Sequence, residues 1–317
     1  MYVVARFNEL TSQQHGLVRG DASGYSKHNV HASIIALGAE ILVLSDRLGT
    51  LRRMCTVVIE VPAQPDLPTR VLAIRDEDPD RAWDPPGIWW PELFPGTLGV
   101  RDRRANGAWL AFRPDQGRFA VILNRGEEVP TPVEQRTSRG ARVLSSVESR
   151  SASGGAALPT TAAFNLVEIA GSAAKITTWD GEVVREKQLE PGVHMIAHHD
   201  VNDARSPRIV RWLPEFRALA DAVGQDWRRQ WLHVLELSAE LGPNDDRAII
   251  RDNHAHGFPT LSLLACIAEV SVDSVELEWA ALARPGTWGH PEFRPALPAH
   301  TQESVIRGVF ARNTPPN

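Results

Sequence analysis

The feature that most constrains this chain is a succession of short β-branched and apolar runs, each closed within a few residues by proline or glycine. Residues 55–61 read as a buried strand ending at Pro62, and residues 69–74 follow after a Pro-rich turn. Two strands so close together are expected to pair antiparallel. Residues 108–112 and 119–123 flank a turn containing Pro114 and Gly117, which predicts a hairpin with a loop longer than two residues. Residues 163–169, 174–178 and 182–185 read as a meander turning at Trp179, Asp180 and Gly181, and residues 260–268 and 275–281 add two more strands. So many strands leave room for few helices. One is expected over 139–147, and helical spacing of apolar residues from Leu213 to Leu241 predicts another pair, with Pro214 in a first turn and Gly224 splitting the run. The sum is an α+β chain built on antiparallel strands.

Outside that pattern lie three other kinds of segment. Residues 1–53, a polar turn-rich start leading into a helix-like run from 32 to 53, look appended to the rest of the chain. Residues 76–104 carry Trp83, Trp89, Trp90, Phe94 and several prolines, and predict a rigid aromatic loop. That loop either lines an apolar pocket or packs on the core. Residues 149–157 form a Ser/Ala/Gly linker, and the Pro-rich tail beyond residue 283 is expected to be weakly ordered.

Composition excludes several function classes. A formal net charge of −5, from 34 Lys+Arg against 39 Asp+Glu, offers no basic field for nucleic acid or anionic lipid. Two cysteines, Cys55 and Cys266, make neither a disulfide framework nor a zinc pattern, and a reducing, cytoplasmic home is expected. No segment reaches the roughly 18 consecutive apolar residues of a membrane helix. The most apolar early stretch, 34–44, is interrupted by Glu40 and preceded by His28 and His31 rather than by a cationic region.

The sharpest positional feature is Cys55, which comes directly after an internal methionine and opens the first core strand. If Met54 is the start and is removed, Cys55 becomes residue one. Its thiol then lies beside its own α-amine, whose reference pKa of about 7.7 to 8.0 suits a general base. The plainer reading makes Cys55 a small buried hydrophobe at a strand start. His198, His199 and Asp200, and the His254, His256 pair, resemble metal-ligand spacing; in an extended backbone the second pair would share a face. Adjacent His198 and His199 would diverge in a strand and no carboxylate set is tied to these histidines, so solvated loop histidines are the preferred reading and no metal site is expected.

An ordered series of short blocks then adds a resemblance. Met54-Cys55 opens it, with Ile74-Arg75-Asp76-Glu77, Gly99-Val100-Arg101-Asp102, Gly107-Ala108-Trp109-Leu110, Gly117-Arg118-Phe119-Ala120 and Leu123-Asn124 after it. Ser138-Arg139-Gly140, Phe164-Asn165-Leu166, Gly192-Val193-His194, Asp200-Val201-Asn202 and a segment at 257–262 complete it. From residue 54 to about 283 the chain resembles the NRDE family, also called the Transport and Golgi organisation family. Members typically begin Met-Cys, so residues 1–53 are expected to be a mis-called start or a leader, with the family domain over 54–300 and a weakly ordered tail over 301–317. The resemblance implies an N-terminal nucleophile hydrolase-like fold of four αββα layers, two antiparallel sheets between helices. It also implies distant kinship with choloylglycine hydrolases and penicillin V acylases.

Carried over by motif, Cys55 would be the nucleophile, Arg75 would lower its thiol pKa, Asp76 would hold the α-amine, and Asn165 would stabilise the oxyanion. Asn124 is a second amide candidate, and Trp83, Trp89 and Trp90 are candidate substrate contacts. The chain departs from the family pattern at Ile74 and Val100, and residues 258–262 lack an arginine usual there. If residues 74–77 are extended, Arg75 and Asp76 point to opposite faces while Arg75 and Glu77 share one. The expected function is amide hydrolysis on an apolar acyl group, with no cofactor. The alternative is a non-catalytic binding or trafficking protein for haem or another hydrophobic ligand, and a metal-dependent hydrolase using His254 and His256 comes third.

Overall fold

The computed structural model describes residues 55–148, 158–220 and 226–296. The expected extension over 1–53, the linker at 149–157, Gly224 and the tail at 301–317 lie outside the described residues.

Thirteen strands form two antiparallel sheets among the described residues. The first holds β1 (Thr56–Val61), β2 (Thr69–Glu77), β10 (Gly192–Ile196), β11 (Leu261–Val270), β12 (Val275–Ala281) and β13 (Arg294–Pro295), in the order β10-β1-β2-β11-β12-β13. The second runs in chain order through β3 (Trp83–Gly87), β4 (Leu98–Asp102), β5 (Gly107–Arg113), β6 (Arg118–Asn124), β7 (Phe164–Ala170), β8 (Ala173–Trp179) and β9 (Val184–Gln188). The helices are α1 (Gly140–Glu148), α2 (Pro207–Ala218) and α3 (Asp226–Ala239).

Strand alternation assigns each side chain a layer. Val57, Ile59, Val71, Ala73, Leu264 and Cys266 pack with Leu98, Leu110, Phe112, Phe119 and Val121 in one cluster between the sheets. Their sequence neighbours Val58, Leu72, Ile74, Ala265 and Ile267 turn the other way and pack with Trp212, Phe216, Trp227 and Trp231 of α2 and α3. Helix α1 buries Val143, Leu144 and Val147, spaced at i, i+1 and i+4, against β5 and β6 of the second sheet. The layers are therefore helix, sheet, sheet, helix, as the α+β αββα expectation had it.

The sandwich is tied shut at one end. Thr69 Oγ1 donates to the Gly171 carbonyl at 2.9 Å, joining the sheets, and the Val275 N–H donates to the Pro114 carbonyl at 3.1 Å. Gly117 turns here at φ +56°, and a Cβ on it would sit 2.0 Å from the Ser271 carbonyl oxygen, so only glycine fits. The start of β1, the end of β2 and the start of β11 lie at the opposite end, because Thr69 pairs with Val270 and Glu77 with Leu261.

Several expectations are corrected. The aromatic stretch is not one loop: β2 continues to Glu77, and β3 and β4 pair within it, Trp83 with Asp102 and Asp84 with Arg101. Prolines at 85 and 86 are tolerated there because β3 is an edge strand. Residues 192–196 form β10, too short and too interrupted by His194 to announce itself. Helix α2 begins with Pro207 at its first turn, leaving Pro214 inside the helix. Beyond residue 283, Trp288 is buried against the helical layer and β13 pairs with β12.

Candidate functional site

Cys55 immediately precedes β1, and the alternation of that strand puts its thiol in the core between the sheets with Val57 and Ile59. The Asp76 N–H donates to Sγ at 3.4 Å, and the thiol donates to the Asp76 carbonyl at 3.6 Å. These are contacts to the Asp76 backbone. Burial pushes the thiol pKa up to about 12; the Asp76 charge adds to the rise, while the Asp76 backbone hydrogen bond and Arg75 oppose it.

Because β2 is extended through Glu77, Arg75 and Asp76 diverge as the strand geometry requires. Arg75 follows Val71 and Ala73 into the space between the sheets. There Nη2 meets Glu77 Oε2 at 3.5 Å and the guanidinium lies 5.8 Å from the Trp83 ring centroid. Its side chain is 3% exposed, and Nη1 has no hydrogen-bond partner among the described residues.

Asp76 follows Leu72 and Ile74 toward the helical layer. Ser262 Oγ donates to Oδ1 at 2.6 Å, and the Arg251 N–H donates to that same Ser262 oxygen at 2.9 Å. Oδ2 is buried and makes no hydrogen bond among the described residues. Burial raises the carboxyl pKa to about 6, against the pull of Arg208, Ser262, Arg251 and Asn253.

Two buried arginines complete this side. Arg208, in the first turn of α2, donates from Nη1 to Thr56 Oγ1 at 2.7 Å; burial and then Arg251 lower its pKa to about 10. Arg251 donates from Nε to Asn253 Oδ1 and from Nη2 to Asp246 Oδ1, each at 3.0 Å, and Asn253 Nδ2 donates to Thr260 Oγ1. Sequence reasoning missed both arginines. Arg208 had a signal, since it occupies the i, i+4, i+8 stripe with Trp212 and Phe216 where a surface helix would carry an apolar residue. Arg251 had none, and Ser262 was marked only as the end of the 257–262 block.

Across the sandwich, Asn165 of β7 is fully buried. Its Oδ1 accepts from Arg125 Nη1 at 3.0 Å and from Thr178 Oγ1 at 2.9 Å, and its Nδ2 donates to the carbonyls of His199 at 2.6 Å and Ala197 at 3.5 Å. Since Val57 pairs with Ile196, residues 197–199 run alongside Cys55, and Asn165 thus reaches from the second sheet to the segment flanking the thiol. Arg125 also holds Asp200 at 2.7 Å and both carboxylate oxygens of Glu127. Asn124 pairs with Phe164, and Asn165 with Leu123, so the two amides turn to opposite faces and Asn124 lies on the side covered by α1.

Of the three tryptophans, Trp83 is brought to Arg75. Trp89 stacks under Arg101 at 4.7 Å and donates to the Pro85 carbonyl, while buried Trp90 donates to the Asn106 carbonyl. His254 and His256 occupy a 3-10 turn rather than an extended strand, engaging Asp252 and Arg251 respectively. Among the described residues no group of three or more His, Cys, Asp or Glu side chains gathers to hold a metal, and no helix is long and apolar enough to cross a membrane.

A family model described as Transport and Golgi organisation 2 matches residues 54–253, which takes in Cys55, Arg75, Asp76, Asn165, Arg208 and Arg251. No match was found among curated proteins.

Proposed function

The chain belongs to the Transport and Golgi organisation 2 family, and from that premise we propose that it is an amide hydrolase acting on an apolar acyl group, with the Cys55 thiol as nucleophile once the α-amine of Cys55 is free. The observation that carries this reading is the buried Oδ2 of Asp76, which makes no hydrogen bond among the described residues and lies one strand away from Cys55. A bare carboxylate oxygen in the interior is costly, and a cation beside it relieves the cost. Release of residue 54 would create such a cation, the α-ammonium of Cys55, on the residue whose thiol meets the backbone of Asp76. Ser262 keeps the carboxylate oriented, and the charges of the two buried arginines favour its ionised form.

In the proposed reaction the α-amine takes the thiol proton as sulfur bonds to the substrate carbonyl carbon and the carbonyl π electrons move to oxygen. Collapse of that oxyanion breaks the C–N bond, and the α-ammonium protonates the departing amine. Water then attacks the thioester, giving its proton to the α-amine; the C–S bond breaks, the acid leaves and the thiol is reprotonated. Asn165 supports the oxyanion by exchanging its long 3.5 Å contact to Ala197 for the substrate oxygen, and Trp83 offers an apolar face to the acyl chain. Both cysteines are free thiols, which suits a reducing, cytoplasmic setting.

The test is turnover of a medium-chain N-acyl p-nitroanilide by protein made from its natural gene. The reading expects release of nitroaniline that Cys55→Ala abolishes; equal release by that variant overturns it. A second reading has its own observation. With residue 54 attached, Cys55 is 4% exposed and its thiol pKa is pushed up to about 12, which suits a protein that binds haem or another hydrophobic ligand without chemistry at this sulfur. Saturable haem binding by a chain that releases no nitroaniline would favour it.

A further inference from the structure

We infer that Nη1 of Arg75 is a ligand-binding donor, a subsite in the core between the sheets that takes the acyl oxygen: the carbonyl oxygen of an apolar acyl substrate and the carboxylate of its acid product. The inference deepens the hydrolase reading, on which it rests for the identity of the acyl group. A buried guanidinium nitrogen without an acceptor is an expensive feature, because its lost hydration is returned by nothing among the described residues. The side chain is 3% exposed, and Glu77 is met through Nη2 at 3.5 Å, which leaves Nη1 as the open arm of the fork. Strand alternation puts this arm on the same face as the Cys55 thiol, since Cys55, Val57, Val71 and Ala73 all face the core between the sheets. The Trp83 ring, 5.8 Å from the guanidinium, supplies the apolar wall beside it.

Asn165 is less suited to be the principal donor. Its Nδ2 already gives hydrogens to His199 and Ala197, and its Oδ1 is fixed by Arg125 and Thr178, so to bind an oxyanion it must break a bond that holds the two sheets together. Arg75 breaks nothing. A charged donor already desolvated stabilises a developing oxyanion more than a neutral amide in the same place. When the thiol adds to the carbonyl, the displaced π pair settles on the oxygen facing Nη1, and it returns to carbon as the C–N bond breaks. The arginine remains protonated throughout.

The experiment separates this subsite from the chemistry. Full-length Cys55→Ala protein, which cannot form a thioester at that residue, is titrated with octanoate by calorimetry, together with the double variant that adds Arg75→Gln. Loss of one charge-assisted hydrogen bond should weaken octanoate roughly 10- to 100-fold in the Arg75→Gln background. Equal affinity with and without Arg75, or no octanoate binding to the Cys55→Ala chain, overturns the inference. If Arg75→Gln does not fold, the carbon-13 carboxyl signal of octanoate bound to the Cys55→Ala chain decides. Ionisation persisting below the pKa of free octanoate supports a cationic partner, and a pKa raised above the free value overturns it. Arg75-dependent octanoate binding by a protein whose unmutated form shows no acyl-Cys55 would sink the hydrolase reading and leave the subsite standing.

Discussion

Replacing Asp76 with asparagine removes a buried titrating group while keeping its shape and its ability to accept the Ser262 hydrogen bond. In the native chain burial holds this carboxyl at about 6 against an ordinary value of 3.8. The folded state therefore binds more protons at this site than the unfolded state between pH 4 and 6. Stability must fall as pH rises through that window, the reverse of the usual behaviour of a surface carboxylate such as Asp203, whose pKa is lowered to about 2 by Arg205. A shift of about two units at about 1.4 kcal/mol each amounts to roughly 3 kcal/mol. Urea unfolding of both proteins at pH 3.5 and pH 7 should show the unmutated chain losing roughly 3 kcal/mol more than Asp76→Asn across the interval, because all other carboxylates cancel in the comparison. Parallel curves, or a relative gain by the unmutated chain on raising the pH, would refute the placement of Asp76 as an under-compensated buried acid. The same comparison made on chain beginning at Cys55 should shrink, since the new α-ammonium lowers the native pKa toward the unfolded one.

The geometry sets three further outcomes. With residue 54 attached, Cys55 and Cys266 are both buried with pKa values pushed far up, so neither should react measurably with iodoacetamide at pH 8 until urea is added; rapid stoichiometric labelling of Cys55 in the folded chain would contradict its placement. Asn165→Ala removes hydrogen bonds spanning both sheets and strands the Thr178 hydroxyl and His199 carbonyl, and should cost about 2 to 4 kcal/mol in urea melts; a loss under about 0.5 kcal/mol would show that the clasp is not formed. Gly117→Ala must place a methyl against the Ser271 carbonyl at positive φ, and is expected to lower stability by more than about 2 kcal/mol; an unchanged melting temperature would argue against the closed end of the sandwich.

The central strands of this fold were legible in the sequence because they obey the simple signals, whereas its four layers were implied by the family resemblance. β1, β2, β5 to β8, β11 and β12 are β-branched or apolar runs between turn residues, and their period of two sorts the core between the sheets from the core under the helices. The missed strands fail that signal for physical reasons. β3 contains Pro85 and Pro86, which an edge strand tolerates, and β10 has His194 half-buried between Val193 and Met195. Of the site, the alternation of β2 alone predicted that Arg75 and Asp76 diverge and that Arg75 meets Glu77. What one strand cannot reveal is which distant residues close over it. Arg251 and Ser262 arrive at Asp76 from the far side of the chain, and the opposite orientations of Asn124 and Asn165 depend on a cross-strand register that sequence does not encode locally.

The central claim, that Cys55 works as a nucleophile with a free α-amine held by Asp76, comes down to one peptide. Protein expressed from its natural gene is incubated with an octanoyl amide, quenched in acid and digested, and the peptide containing Cys55 is weighed. The account predicts a peptide that begins at Cys55 and carries the octanoyl group as a thioester. A peptide in which Met54 is still joined to Cys55, with no added mass on the sulfur, would contradict it.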